Sequence, residues 1–239
     1  MKKFNPTYKP FGNTAILMEW PVKIDEAIIN DIISFEKRLN NFDVIVDTII
    51  AYNSLTIIYK EFKSFNQEII QLQELYTVDT IQKKRSQKVW EIPVCYDREF
   101  GLDLEEVANA KGIATKAVVD LHIKNSYLVY FLGFQPGFLY LGGLDKKIFT
   151  PRKSTPRLRV QKGSVGIGGE QTGVYPSDNA GGWNIIGKSP IDFFNIHKEQ
   201  PCFAKAGDRI QFFSIDVASY YSIEEAVKKG KYQLKFREF

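Results

Sequence analysis

His122-Ile-Lys-Asn-Ser-Tyr-Leu-Val-Tyr-Phe-Leu-Gly-Phe-Gln-Pro-Gly-Phe-Leu-Tyr-Leu-Gly-Gly-Leu-Asp145 is the stretch on which the fold of the C-terminal part turns. At its centre, Gly133-Phe-Gln-Pro-Gly-Phe138 pairs a proline, which fixes φ, with a glycine, which accepts a positive φ, as a type II turn requires. Apolar and aromatic residues on either side read as two strands joined by that turn. Twelve of the 17 glycines lie between Gly133 and Gly187, mixed with prolines and aromatics. Such a texture predicts short strands, tight turns and bulges, and a small closed barrel is the economical architecture for them.

Working outward, Leu102–Lys111 and Thr115–Ile123 read as short helices separated at Gly112. Nearer the N-terminus, Thr14–Trp20 reads as a strand, and Asp25 caps a helix that places Ile28, Ile29, Ile32, Ile33 and Leu39 on one face. Val44–Ala51 and Leu55–Tyr59 form a hairpin about a polar turn, Phe65–Tyr76 is a second helix, and Lys88–Cys95 is a further strand. The order βαββαβ predicts a ferredoxin-like unit. The boundary falls within 80–95, which gives an α+β domain over residues 1–87 and a mainly β barrel domain over 88–239.

Apolar residues make up 44% of the 239 and charged residues 25%, the composition of a globular protein, not of a disordered or membrane-spanning one. Two lysines followed by polar residues and prolines at the start give no secretory signal, and no apolar run approaches the roughly 20 residues of a membrane span. Cys95 and Cys202 are the only cysteines, so a reduced compartment, the cytoplasm, is expected. The net charge of +4 is modest and interspersed, which does not indicate a nucleic-acid partner. A basic stretch comprises Arg152, Lys153, Arg157, Arg159 and Lys162, while Lys228, Lys229, Lys231, Lys235 and Arg237 read as a solubilising tail.

Two histidines and two cysteines at unrelated spacings supply no metal ligand set, and the signatures of serine and cysteine hydrolases do not occur. Gly182-Trp-Asn-Ile-Ile-Gly-Lys-Ser189 matches the phosphate-loop pattern formally, but its apolar interior and the following Pro190 favour a strand. Thr150-Pro-Arg-Lys-Ser-Thr-Pro-Arg157 repeats Thr-Pro-Arg, each proline stiffening the backbone before an arginine, which suits an anion-binding loop; a solvated loop is the competing reading. Gly163–Pro176 and Gly181-Gly-Trp183 bring amides, Gln171, Tyr175 and an indole to a surface suited to a small polar molecule. His122 reads equally as a partner for a helix dipole and as a proton-transfer or ligand-binding group. The candidate catalytic residues are therefore His122, Arg152 and Arg157. The candidate substrate- or nucleotide-binding residues are Phe134, Pro136, Gly137, Tyr140, Gly168, Gln171, Tyr175 and Trp183, with the glycines and prolines doubling as barrel corners.

The motifs Gly-Phe-x-Pro-Gly-Phe-x-Tyr-Leu, Pro-Arg-x-x-x-Pro-Arg, Gly-Ser-Val, Gly-x-Tyr-Pro, Gly-Gly-Trp and Gly207-Asp-Arg209 together resemble the KipI family, which comprises the PxpB components of 5-oxoprolinases and also carries an allophanate hydrolase label. The resemblance implies a ferredoxin-like N-terminal domain and a cyclophilin-like C-terminal barrel. It implies one component of a complex that couples ATP hydrolysis to opening of the 5-oxo-L-proline lactam, giving L-glutamate. Its partners would be a KipA-like (PxpC) and a LamB/YcsF-type (PxpA) protein, with ATP and Mg as cosubstrate and no tightly bound cofactor. A regulatory alternative is inhibition of a sensor histidine kinase. A urea carboxylase or allophanate hydrolase role ranks third, because no lysine here is flanked by methionines as a biotin carrier requires. Gln161 and Asn179-Ala180 depart from the family's usual proline and Ser-Pro.

Overall fold

The computed structural model describes residues 4–61, 64–78 and 87–238, and the chain divides into two compact units, Met1–Arg85 and Ser86–Phe239. The opening Met1-Lys2-Lys3 and part of the expected boundary region lie outside the described residues.

In the first unit, β1 (Thr7–Pro10), β2 (Ala15–Glu19), β3 (Ile45–Ile50) and β4 (Ser54–Tyr59) form an antiparallel sheet in the order β1-β2-β4-β3. Helix α1 (Glu26–Leu39) starts where the Asp25 carboxylate accepts the Ala27 amide at 2.9 Å, and it buries the isoleucines that share its face. Each such side chain contributes roughly 1.5–3 kcal/mol through the apolar surface it removes from water. Helix α2 (Phe65–Thr77) buries Leu72 and Tyr76.

The ferredoxin-like order is not observed. It would require Lys88–Cys95 to return beside β2, but β1 occupies that place, in register from Thr7 opposite Glu19 to Pro10 opposite Ile16. Strand Lys88–Cys95 (β5) belongs to the second unit. The physical reason is legible in its burial: Val89, Trp90, Ile92, Pro93, Val94 and Cys95 are all buried, so both faces must be covered, which an interior barrel stave provides. A short loop brings β1 to β2 at little entropic cost.

The second unit continues with α3 (Leu104–Lys111), α4 (Thr115–Lys124), β6 (Ser126–Leu132), β7 (Leu139–Gly142), β8 (Arg157–Val160), β9 (Ser164–Gly168), β10 (Gln171–Val174), β11 (Asn179–Gly181), β12 (Asn184–Lys188), β13 (Arg209–Ile215), α5 (Val217–Lys228) and β14 (Phe236–Glu238). Seven strands close a ring in the order β12-β9-β10-β7-β6-β13-β5, and β5 meets β12 again. Strand β5 runs parallel to β13 from Val89 opposite Arg209 to Cys95 opposite Ile215. Its other edge is shared, with β14 pairing near Trp90 and β12 near Cys95. Ile92, Val94, Val129, Ile167, Ile210 and Phe212 fill the interior. Of the expected C-terminal tail, Lys228 ends α5 and only Phe236–Glu238 forms a strand: Phe236 packs on Trp90 with ring centroids 4.9 Å apart, and the Lys88 ammonium lies 4.1 Å from the Phe236 ring centroid.

The ring closes with β12 and β5 in tight approach at Gly187, which has no side chain. A Cβ there would stand 2.8 Å from the Cys95 carbonyl oxygen and 2.9 Å from a Val94 methyl. Gly187→Ala is expected to lower the unfolding free energy by about 2 kcal/mol through overpacking at the seam, measured by denaturant titration. A parental midpoint would show that the seam yields without cost.

Candidate functional site

Three segments converge on one aromatic cluster at the side of the barrel. The turn Gly133–Phe138 contributes Phe138, whose ring meets Trp183 at 5.6 Å, Tyr175 at 5.9 Å and Tyr140 at 5.0 Å, all edge-on. Val160 and Ile185 complete the cluster. Gly168 lies under the indole, and any side chain there would collide with it. The turn has the expected chemistry, with Gly137 at φ 84° and the Phe138 amide donating to the Gln135 carbonyl at 3.0 Å.

Just before it, Phe134 adopts φ 65°, and the Gln135 amide donates to the Gly133 carbonyl at 2.7 Å, a three-residue γ-turn. A positive φ on a phenylalanine costs on the order of 1–3 kcal/mol, and such strain persists only where surrounding structure imposes it.

The Thr-Pro-Arg loop is pinned to the barrel by two bonds. The Asn184 side-chain amide donates to the Pro151 carbonyl at 2.9 Å, and the Lys153 amide donates to the Gly182 carbonyl at 2.7 Å. The two arginines then diverge. Arg152 is exposed, its guanidinium 5.8 Å from the Trp183 ring centroid, with no ion-pair partner among the described residues. A contact of that kind contributes about 0.5–1 kcal/mol and leaves the guanidinium donors available. Arg157 instead donates both terminal nitrogens to Asp103, at 2.9 and 2.6 Å. Its fork is committed to the fold, not offered to solvent.

Asp103 is a residue the sequence reading did not single out. It is 1% exposed and also accepts the Ile185 amide at 2.6 Å and the Lys153 ammonium at 3.0 Å. Burial opposes its ionisation, but the hydrogen bonds from Arg157, Ile185 and Lys153 outweigh burial and hold its pKa below the usual carboxylate value.

His122 lies apart from this surface, wholly buried inside the barrel. The Thr172 hydroxyl donates to the Gly166 carbonyl at 3.1 Å, so it accepts the His122 Nε2 hydrogen at 2.8 Å; Nδ1 then accepts the Tyr96 hydroxyl at 2.7 Å. Both ring nitrogens are satisfied, and the ring stacks on Phe212 at 4.8 Å. Burial pushes its pKa down to about 3. Gln171 stands at the start of β10, paired with Gly168 across the β9–β10 turn, one residue before Thr172.

Gln135, also missed, is 8% exposed; its Oε1 accepts the Ser177 hydroxyl at 3.0 Å, and its Nε2 has no partner among the described residues. A buried donor without a partner costs about 1–3 kcal/mol. The sequence carries no signal for this, because a glutamine inside a turn reads as solvated. The phosphate-loop match is strand β12, with Asn184 opposite Ile167 and Lys188 opposite Ser164, and no helix starts at Lys188. Gly182–Ser189 therefore does not fit a nucleotide's phosphates. Among the described residues no group of His, Cys, Asp and Glu could hold a metal ion, and no helix is long and apolar enough to cross a membrane.

Two measurements check this geometry. Arg157→Ala is expected to lower stability by about 3 kcal/mol, because it strips donors from a buried carboxylate, whereas Arg152→Ala should change it by less than about 0.5 kcal/mol. Equal thermal melts for the two variants would contradict the division of labour. For His122, the folded pKa lies below the unfolded value of about 6.5, so the unfolded chain takes the proton first and stability is lost as pH falls from there. Denaturant titrations should show about 2 kcal/mol lost between pH 7 and pH 5 from this group, a loss missing in His122→Gln.

Comparison with known proteins agrees with the barrel and the separate sheet. The family description "Carboxyltransferase domain, subdomain C and D" matches residues 6–204. The chain is 36% identical over 227 residues to the B component of the 5-oxoprolinase of Bacillus subtilis (strain 168), across 90% of this chain and 95% of that protein. Among solved structures, TTHA0988 superposes with a TM-score of 0.75 at 32% identity, covering 84% of this chain; this chain spans 40% of that longer one. The Kluyveromyces lactis urea carboxylase shares the fold, with a TM-score of 0.79 over 98% of this chain and 24% of its own length, at 18% identity. With the match running through the first unit and most of the barrel, this chain belongs to the carboxyltransferase-domain family of subdomains C and D.

Proposed function

We propose that this chain is the PxpB-type component of an ATP-dependent 5-oxoprolinase and acts only within a larger hydrolase. The observation that carries the reading is the 36% identity to the corresponding Bacillus subtilis 5-oxoprolinase component over 95% of that protein's length. In this reading a KipA-like protein and a LamB/YcsF-type protein complete the enzyme, and ATP with Mg is the cosubstrate of the assembly. The names of the relatives do not favour the kinase-inhibitor alternative.

The reaction opens the lactam of 5-oxo-L-proline to give L-glutamate. An unstrained amide is a poor electrophile, and transfer of a phosphoryl group to its oxygen would supply a better leaving group. Within that chemistry we assign this chain recognition and positioning. Arg152, held over Trp183 by a pinned loop, is suited to meet an anion, since a preorganised guanidinium needs little reorganisation as charge develops. Arg157 acts through Asp103 as a positioning residue for the same loop. His122 is assigned to the barrel interior, because a neutral, sealed and fully bonded imidazole is poorly placed to exchange protons with substrate.

The purified chain alone is expected to release no glutamate from 5-oxo-L-proline and ATP, while reconstitution with the two partner proteins restores release. Turnover by the isolated chain, or failure to form a complex with a co-expressed KipA-like protein, would overturn the assignment. Arg152→Ala should reduce turnover of the assembled enzyme by about tenfold or more without loss of assembly. Normal turnover in that variant removes the anion role.

A further inference from the structure

The turn Gly133–Phe138 and the segment Phe194–Lys205 border an open groove of about 620 Å³. Phe134, Pro136, Phe194 and Pro201 give it apolar walls, and Gln135, Gln200 and Lys205 are polar residues on its border, the Gln135 side-chain nitrogen lying beneath the surface. Gly137 sets the approach of one side to the other, since a Cβ there would lie 2.5 Å from the Phe194 Cβ. Three features distinguish this groove, one of them a ring that meets Phe138 edge-on at 5.9 Å. The Gln135 side-chain nitrogen is buried and has no partner among the described residues. Phe134 is 68% exposed yet held at a positive φ. Lys205 is exposed, and its ammonium has no ion-pair partner among the described residues.

These features are complementary to one kind of small molecule. The Gln135 carboxamide retains N–H donors on Nε2, and its Oε1, which already accepts from Ser177, has a second lone pair. A donor and an acceptor side by side match an amide held cis, which shows its own C=O and N–H along a single edge. A trans peptide shows them on opposite edges. A small lactam is cis by ring closure. An ammonium in the same groove suits a carboxylate, and apolar walls suit ring methylenes.

We propose that this groove recognises the lactam substrate, with the Gln135 carboxamide pairing with its cis-amide edge, Lys205 meeting its carboxylate and the Phe134 turn closing over the ring. The inference rests on the 5-oxoprolinase reading and deepens it by naming groups that hold the substrate. Gln135 Nε2 lies beneath the surface, so pairing requires the turn to shift, and the strained φ of Phe134 lowers the resistance to that shift. Opening of the lactam destroys the cis-amide edge, so the open-chain product loses this pairing and is released.

The test titrates the full chain with 5-oxo-L-proline, L-proline and 2-pyrrolidone, followed by ligand-observed NMR. L-Proline lacks the ring carbonyl and 2-pyrrolidone lacks the carboxylate. The expected result is binding of 5-oxo-L-proline about tenfold or more tighter than L-proline. Gln135→Leu should weaken both lactams by about tenfold while melting at or above the parental temperature, because it removes an unpaired buried amide. Lys205→Gln should weaken 5-oxo-L-proline severalfold and leave 2-pyrrolidone unchanged. Absence of saturable binding, parental affinity in both variants, or a Gln135→Leu chain that melts well below the parent would each overturn the proposal. Glutamate release by the reconstituted complex reads the 5-oxoprolinase assignment separately. The expected binding pattern without turnover keeps the groove and removes the activity, whereas turnover at parental KM in both variants keeps the activity and removes the groove.

Discussion

A carboxylate taken out of water survives as a charge only where donors replace its hydration, and Asp103, 1% exposed, meets that condition with bonds from three places in the chain. The Ile185 amide belongs to a barrel strand, Arg157 starts the short strand β8, and Lys153 lies in the loop between the two Thr-Pro-Arg repeats. The backbone closes the circle, with the Asp103 amide donating to the Ile185 carbonyl at 2.7 Å. One buried charge therefore fixes the start of α3, the strand β12 and the arginine loop relative to one another. The exposed Arg152 inherits its position over Trp183 from that arrangement.

The same constraint separates residues that look alike. Arg152 and Arg157 occupy identical Thr-Pro-Arg settings, yet one faces solvent over an indole and the other is consumed by a buried carboxylate. His122 and Gln135 form a second contrast. The imidazole is buried with every polar atom bonded, which makes it a stabilising element of the barrel interior. The glutamine is buried with an atom left over, in a turn whose backbone is strained, and it is the unsatisfied group that points to binding.

Barrel closure supplies the rigidity on which both arrangements rest. Strand β5 is bordered by β13 from Val89 to Cys95 along one edge, and along the other by β14 at Lys88–Trp90 and by β12 at Cys95, so both edges are engaged. Asp208 reinforces the same region by accepting the Trp90 indole hydrogen at 3.2 Å and the Lys205 amide at 3.2 Å. That explains the Gly207-Asp-Arg209 motif as a structural lock, with Gly207 at φ 85° making the turn. The lock also anchors the segment that carries Lys205 to the barrel wall.

The sequence by itself determined the local elements. Asp25 as a helix cap, the hairpin of β3 and β4, the Pro136-Gly137 turn and the strand character of Asn184–Lys188 all follow from residue preferences and periodicities that act within a few positions. The glycine-rich texture between Gly133 and Gly187 likewise announced a barrel, because close strand approach and positive φ leave a mark in composition. Only the tertiary structure decided which sheet receives Lys88–Cys95, since a buried strand reads the same whether it completes a ferredoxin-like sheet or a barrel ring. It alone decided what each arginine faces, because Asp103 lies 54 residues from Arg157, and nothing in the local sequence of either specifies the other. Burial of His122 and of Gln135 is of the same kind: solvent exclusion is a property of the packed surroundings, which the order of residues along the chain does not display.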